Sequence, residues 1–270
     1  MLKRTITGAF ITAIVYAVLY FAQYPGVLLC ATAVLVGFSI YELCHAAGYA
    51  GNEAFLTASL LCSLGLTVWN MPYYQQILQI VFLIALVGFA LLMLLQKRCS
   101  LHHPAMLIMI EMIIVLLYKS FPVLHSTEYG NYYLTGAVTL CFATDVAAYL
   151  VGRSVGKHKL MPKVSPNKTV EGFLGGILSA VLFMLLMGLC LDSFYHLAID
   201  YKKLTIYAVL ASVVGQFGDL AMSSVKRICG IKDFGNLFPG HGGMLDRFDS
   251  HLFAVAFTLI YCSETGGFIQ

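Results

Sequence analysis

The stretch QILQIVFLIALVGFALLMLL, residues 76–95, decides the fold. It holds no charged side chain, and its only side-chain amides are Gln76 and Gln79. As an α-helix it would run about 30 Å, the thickness of a bilayer hydrocarbon core. In lipid every backbone N–H and C=O must find its partner within the chain, and a helix does this segment by segment.

The rest of the chain follows the same pattern. Of its 270 residues 60% are hydrophobic and 11% charged, against about a quarter charged in a soluble domain. That leaves too few polar side chains to cover a water-exposed surface, so the chain is an integral membrane protein. No polar block is long enough to fold separately in water. Apolar runs of spanning length fall near 5–21, 26–42, 54–70, 76–95, 104–124, 131–152, 170–191, 203–223 and 251–264. The fold class expected is all-α: a polytopic membrane protein of about nine transmembrane helices with a cytoplasmic N-terminus. Residues 1–130 form a first block of transmembrane helices. Residues 131–270 form a second, with the polar motifs on its cytoplasmic side.

Charge fixes that orientation. Alternate threading collects thirteen basic residues on one side: Lys3, Arg4, Lys97, Arg98, Arg153, Lys157, Lys159, Lys163, Lys168, Lys226, Arg227, Lys232 and Arg247. The other side receives Lys119, Lys202 and Lys203, an asymmetry expected when basic loops stay in the cytoplasm. The opening MLKR has no small-residue cleavage site before the next span, so it begins the first helix rather than a signal peptide. The eight cysteines are scattered without a C-x-x-C pair, which argues against a disulfide framework or a zinc site. Glu111 lies inside an apolar run, where an acid is costly. It either serves function or hydrogen-bonds a neighbouring helix. His102 and His103 sit beside Lys97 and Arg98 in a solvated loop.

Three polar clusters carry the chemistry. The first is DVAAYLVGRSVGKHKLMPKVSPNKTVEG, residues 145–172. Asp145 and Tyr149 share a helical face, and Arg153 and Lys157 continue in that direction as the helix leaves the bilayer. A loop with Lys159, Lys163, Ser165, Pro166, Asn167 and Lys168 follows. Its glycine, proline, serine and asparagine alternate with cations, which builds a shaped anion site rather than a plain charge run. In the second cluster Asp219, Ser223, Lys226 and Arg227 form one stripe of a helix. Asp219 needs a cation partner there, and spacing leaves open whether that is Lys226, Arg227 or a metal ion. In the third, FPGHGGMLDRFDSH at 238–251, Asp246 and Asp249 face the same way on a helix. Hard cations such as magnesium bind one or two carboxylates plus substrate phosphates. For His241 a loop-capping hydrogen bond and a phosphate contact stand level; His251 is a helix-end residue.

Together the clusters supply carboxylates for metal and cations for phosphate, with no serine–histidine or cysteine–histidine arrangement and no P-loop. That suits metal-assisted phosphoryl or nucleotidyl transfer, where positioning and charge neutralisation do the work, and not acyl transfer.

The pattern Ser223-x-Val225-Lys226-Arg227, then Lys232-Asp233-x-Gly235, then Phe238-Pro239-x-His241-Gly242-Gly243-Met244-x-Asp246-Arg247-Phe248-Asp249 resembles the signature of phosphatidate cytidylyltransferases, the CDP-diacylglycerol synthases. The residues from Asp145 to Gly172 resemble that family as well. The resemblance implies that CTP and phosphatidic acid give CDP-diacylglycerol and pyrophosphate in phospholipid biosynthesis. It implies dependence on magnesium (Mg2+), with a second, monovalent cation such as K+ beside it. Asp219 and Asp246 become the metal ligands, and Lys226, Asp249 and Asp145 join them as catalytic residues. Arg153, Lys163, Ser165, Lys168, Ser223, Arg227, Lys232, His241 and Arg247 become phosphate-binding residues. The implied setting is a multi-pass protein of the plasma or inner membrane with a cytoplasm-facing site, a homodimer, and no nucleic-acid partner. Two alternatives carry different expectations. A CTP-dependent polyprenol kinase, or a cytidylyltransferase for another lipid phosphate, would keep the nucleotide and change the lipid or the product. An ion-coupled transporter would use Asp219, Asp145 and Glu111 as a path and release no pyrophosphate.

Overall fold

The computed structural model describes residues 2–71, 73–95, 104–238, 240 and 242–270, without the side chains of residues 2–6 and 95. The predicted roles of Lys97, Arg98, Cys99, His102, His103 and His241, and of the Lys3 and Arg4 side chains, lie outside the described residues.

Each predicted apolar run is a helix: α1 (Leu2–Phe21), α2 (Val27–Ala46), α3 (Glu53–Val68), α4 (Tyr74–Leu95), α5 (Pro104–His125), α6 (Gly130–Val155), α7 (Val170–Tyr195), α8 (Tyr201–Ile228) and α9 (Leu245–Thr265). Six of them (α2, α4, α5, α6, α7 and α8) are long and apolar enough among the described residues to cross a membrane. The protein is therefore a multi-pass helical membrane protein. The polar stretch expected to be a loop is an antiparallel hairpin of β1 (Lys159–Met161) and β2 (Ser165–Thr169), pairing Lys159 with Thr169 and Met161 with Ser165. Val164, fully buried at its turn, anchors it.

The chain forms two compact units. One comprises Met1–Val123 and Ala221–Asp249. In it Ser39 of α2 and Tyr118 of α5 share a 2.8 Å hydrogen bond, and Cys44 donates to Glu111 at 3.1 Å. Glu111 is thus a helix–helix tie, satisfied as a buried polar group must be. Lys119 donates to the carbonyl of Leu66 at 3.0 Å and to that of Trp69, so an apparent membrane lysine closes the carbonyl end of α3.

The other unit comprises Leu124–Leu220 and Ser250–Gln270. Here α6 packs along α7 with little between them. A Cβ at Gly172 would meet the Ala148 carbonyl oxygen at 2.6 Å, and one at Gly156 would meet Thr169 Oγ1 at 2.7 Å. Thr169 Oγ1 accepts the Gly172 N–H at 3.1 Å and starts α7. Tyr207 of α8 and Thr258 of α9 share a buried 2.8 Å hydrogen bond at the centre of this unit.

Candidate active site

In the unit of Leu124–Leu220 and Ser250–Gln270, the C-terminal half of α6, the hairpin and the start of α7 frame a cavity of about 510 Å³. Asp145 and Arg153 of α6, Lys168 of β2 and Asp219 of α8 line it, joined by Lys159 and Asn167. Lys168 Nζ lies 2.6 Å from Asp219 Oδ2, with both side chains a little over a quarter exposed. The cation that Asp219 requires is therefore a lysine from the first polar cluster, a pairing that sequence spacing could not supply. Arg153 Nη1 donates to the Tyr149 hydroxyl at 3.0 Å, one helical turn back.

The base of the hairpin is tied to α7. Glu171 accepts the N–H of Lys157 at 3.1 Å and pairs with His158 Nδ1 at 2.6 Å. Lys163, exposed in the hairpin turn, and Ser165, at the start of β2, fall outside the cavity lining.

In the unit of Met1–Val123 and Ala221–Asp249, a second polar assembly forms around Asp246. Asp246 Oδ1 takes Lys226 Nζ at 2.7 Å, and Oδ2 accepts the N–H groups of Phe234 at 2.8 Å and Gly243 at 2.9 Å. Asp249 Oδ2 stands 3.8 Å from the same lysine, so the two aspartates share a face as the i, i+3 spacing requires. The pair is closed to water: 9% of the Lys226 side chain and 1% of that of Asp246 are exposed. An ion pair so buried is stable only with its remaining hydrogen bonds made, and the two backbone donors make them.

Ser223 is buried on α8, and Arg227 Nη1 donates to the Ile231 carbonyl at 2.8 Å. Lys232 is exposed in the following loop. Arg247 Nε is buried with no hydrogen-bond acceptor among the described residues.

Sequence reading missed Glu42. Near the end of α2 it is 6% exposed, and its carboxylate accepts the N–H groups of Met244 at 2.8 Å and Leu245 at 2.9 Å. These are orphan donors at the start of α9, the positive end of a helix. Gly243 makes room for it, since a Cβ there would collide with the Glu42 carboxylate. The available signal was an acid at the end of an apolar run.

The donor chemistry fits a hard divalent cation unevenly. Asp219 presents a partly exposed carboxylate on a cavity it shares with Asp145, held by one lysine. Asp246 has both oxygens engaged, so a cation there would compete with Lys226 for Oδ1.

The fold defines a class: a multi-pass helical membrane protein with a cavity lined by two lysines, an arginine and two aspartates. The family model described as "Cytidylyltransferase family" matches residues 2–264, and the chain belongs to that family. It is 48% identical over 130 residues to the phosphatidate cytidylyltransferase of Bacillus subtilis, covering 48% of this chain and 47% of that protein. With the enzyme of the same name from Staphylococcus epidermidis it shares 44% over 136 residues, 50% and 51% of the two chains. With that from Staphylococcus aureus it shares 43% over 126 residues, 47% of each. In these alignments the chain spans about half the length of the curated relatives it matches.

Proposed function

We propose that this protein transfers the cytidylyl group of CTP to phosphatidic acid, giving CDP-diacylglycerol and pyrophosphate at the cytoplasmic face of the cell membrane. The observation that carries this reading is the cavity in which Lys168 holds Asp219 beside Asp145, Arg153 and Lys159. Family membership and the names of the relatives support the substrates.

In this reaction a phosphate oxygen of phosphatidate attacks the α-phosphorus of CTP. The bond to the bridging oxygen of the β-phosphate breaks, and its electron pair leaves with pyrophosphate. The attacking oxygen is already an anion at neutral pH, so no strong general base is needed. The barrier is the approach of one polyanion to another, and fixed cations lower it. Arg153, Lys159 and Lys168 are the proposed phosphate contacts in the cavity, together with Lys226, Arg227, Lys232 and Arg247 of the signature segment. Magnesium, with Asp219 and Asp246 as its proposed ligands, would neutralise phosphate charge when bound. Potassium beside it and a homodimeric state rest on family resemblance alone.

The test is pyrophosphate release from CTP labelled on the α-phosphate, in detergent, with phosphatidic acid and magnesium added or withheld. The expected result is lipid-dependent pyrophosphate with the label retained in lipid. Label recovered in CDP would make the protein a CTP-dependent kinase instead.

A further inference from the structure

The cavity beside Asp219 carries two aspartates, an arginine and two lysines on its walls, and a diacyl lipid also needs an apolar place for its tails. A second cavity, of about 530 Å³, lies in the unit of Met1–Val123 and Ala221–Asp249, within the roughly 300–1,000 Å³ of small-molecule sites. Its walls are Phe10 and Ile14 of α1, Leu35 of α2, and Leu237, Phe238 and Phe248 of the signature segment.

Two observations favour a lipid tail over any other apolar occupant. First, Phe248 and the Asp246–Asp249 pair lie on the first turn of one helix, α9. Asp246 and Asp249 turn toward Lys226, while Phe248, two positions from Asp246 and so on another face, lines the groove. Polar and apolar environments are thus separated by the width of a single helix, as head and tail are in an amphiphile. Second, Arg247, between these faces in sequence, buries an Nε with no acceptor among the described residues. A phosphate ester oxygen is the acceptor that a guanidinium takes best.

We infer that this groove receives one acyl chain of the lipid substrate, with its phosphate toward Arg247. The inference rests on the lipid phosphate being the substrate. Bilayer lipid is as apolar as the groove, so the groove acts by shape: it selects and aligns a chain rather than extracting it from water.

Filling the groove tests this. Ile14 is 45% exposed, so Ile14→Trp can place an indole at the groove wall without overpacking the core; Leu35→Trp narrows the groove from the facing helix. Both are assayed with dioleoyl and dihexanoyl phosphatidate in mixed micelles. Filling the groove with an indole should cost roughly tenfold in occupancy. The expected outcome is a loss of about that size in kcat/KM for the long-chain lipid, with the short-chain lipid and the KM for CTP unchanged. Equal loss on both lipids, or none on either, overturns the inference.

A second arm needs no turnover. Phosphatidate with a terminal diazirine on one chain is photolysed in vesicles, and the labelled peptides are mapped. Label on residues 7–15 and 237–248 that resists excess phosphatidylcholine supports the groove. Label displaced equally by phosphatidylcholine shows bulk lipid only and overturns it. If the wild type releases no pyrophosphate while this label persists, the reaction assignment fails and the lipid site stands.

Discussion

Replacing Glu42 with alanine tests the physical argument for the signature segment. The carboxylate accepts from two backbone donors at the start of α9, at 2.8 and 2.9 Å. Each buried N–H left without an acceptor costs about 1–3 kcal/mol, so the pair costs about 2–6 kcal/mol before any gap left by the side chain. Glu42→Gln keeps one acceptor oxygen and turns an amide NH2 toward the other donor, so it should lose about half as much. Activity should fall further than stability suggests. Met244 and Leu245 are held by Glu42, and Phe234 and Gly243 by Asp246. A displacement on the order of 1 Å at a reacting site can cost about a hundredfold in rate. Thermal unfolding in detergent, followed by size-exclusion of the remaining folded protein, measures the first effect. Pyrophosphate release at saturating CTP measures the second. Wild-type melting and wild-type turnover for Glu42→Ala would refute the role assigned to this residue.

Two further substitutions separate stability from chemistry, and a labelling experiment tests burial of a thiol. Lys226→Met removes the cation from two acids in a closed site, so the midpoint of unfolding should fall by the equivalent of about 3–5 kcal/mol. Lys168→Met breaks a pair that water reaches, so stability should move by about 1 kcal/mol or less. Pyrophosphate release should nonetheless drop on the order of a hundredfold if that lysine serves phosphate; loss of both together would make it merely structural. Burial pushes the Cys229 thiol, just beyond α8, up to about 11. Its thiolate is therefore scarce at pH 8 and grows about tenfold per pH unit toward 11, which iodoacetamide labelling of a variant retaining only Cys229 would read out. Rapid labelling at pH 8 would refute that burial.

How much of this was legible depends on how local the cause was. Runs such as residues 76–95 became helices because apolarity and backbone satisfaction are properties of the segment itself. The clusters around Asp145, Asp219 and Asp246 stood out because charge is costly in an apolar chain. The hairpin at 159–169 was hidden: its lysines, proline and asparagine read as loop, and its anchor Val164 is a single buried residue. The partners of the aspartates were hidden as well, since Lys168 lies 51 residues from Asp219 and Lys226 lies 20 from Asp246. Charge says that a partner must exist, but only the fold says which one.

Glu42 and Glu111 sharpen the point, because in sequence they look alike: one acid each in an apolar run. Glu111 accepts a thiol and ties α5 to α2. Glu42 accepts the first N–H groups of a helix that begins about 200 residues later in the chain. The difference lies in what each acid meets. A thiol is a weak donor that the chain could dispense with at small cost. Helix-start N–H groups carry partial positive charge and have no partner within the helix. Glu42 is therefore bound to the segment that carries Asp246, whereas Glu111 serves packing. The same reasoning explains why Gly235 and Gly243 flank it: a Cβ at either would crowd the Glu42 side chain. These glycines of the signature thus admit an acid from α2, and the fit of that acid sets where α9 begins.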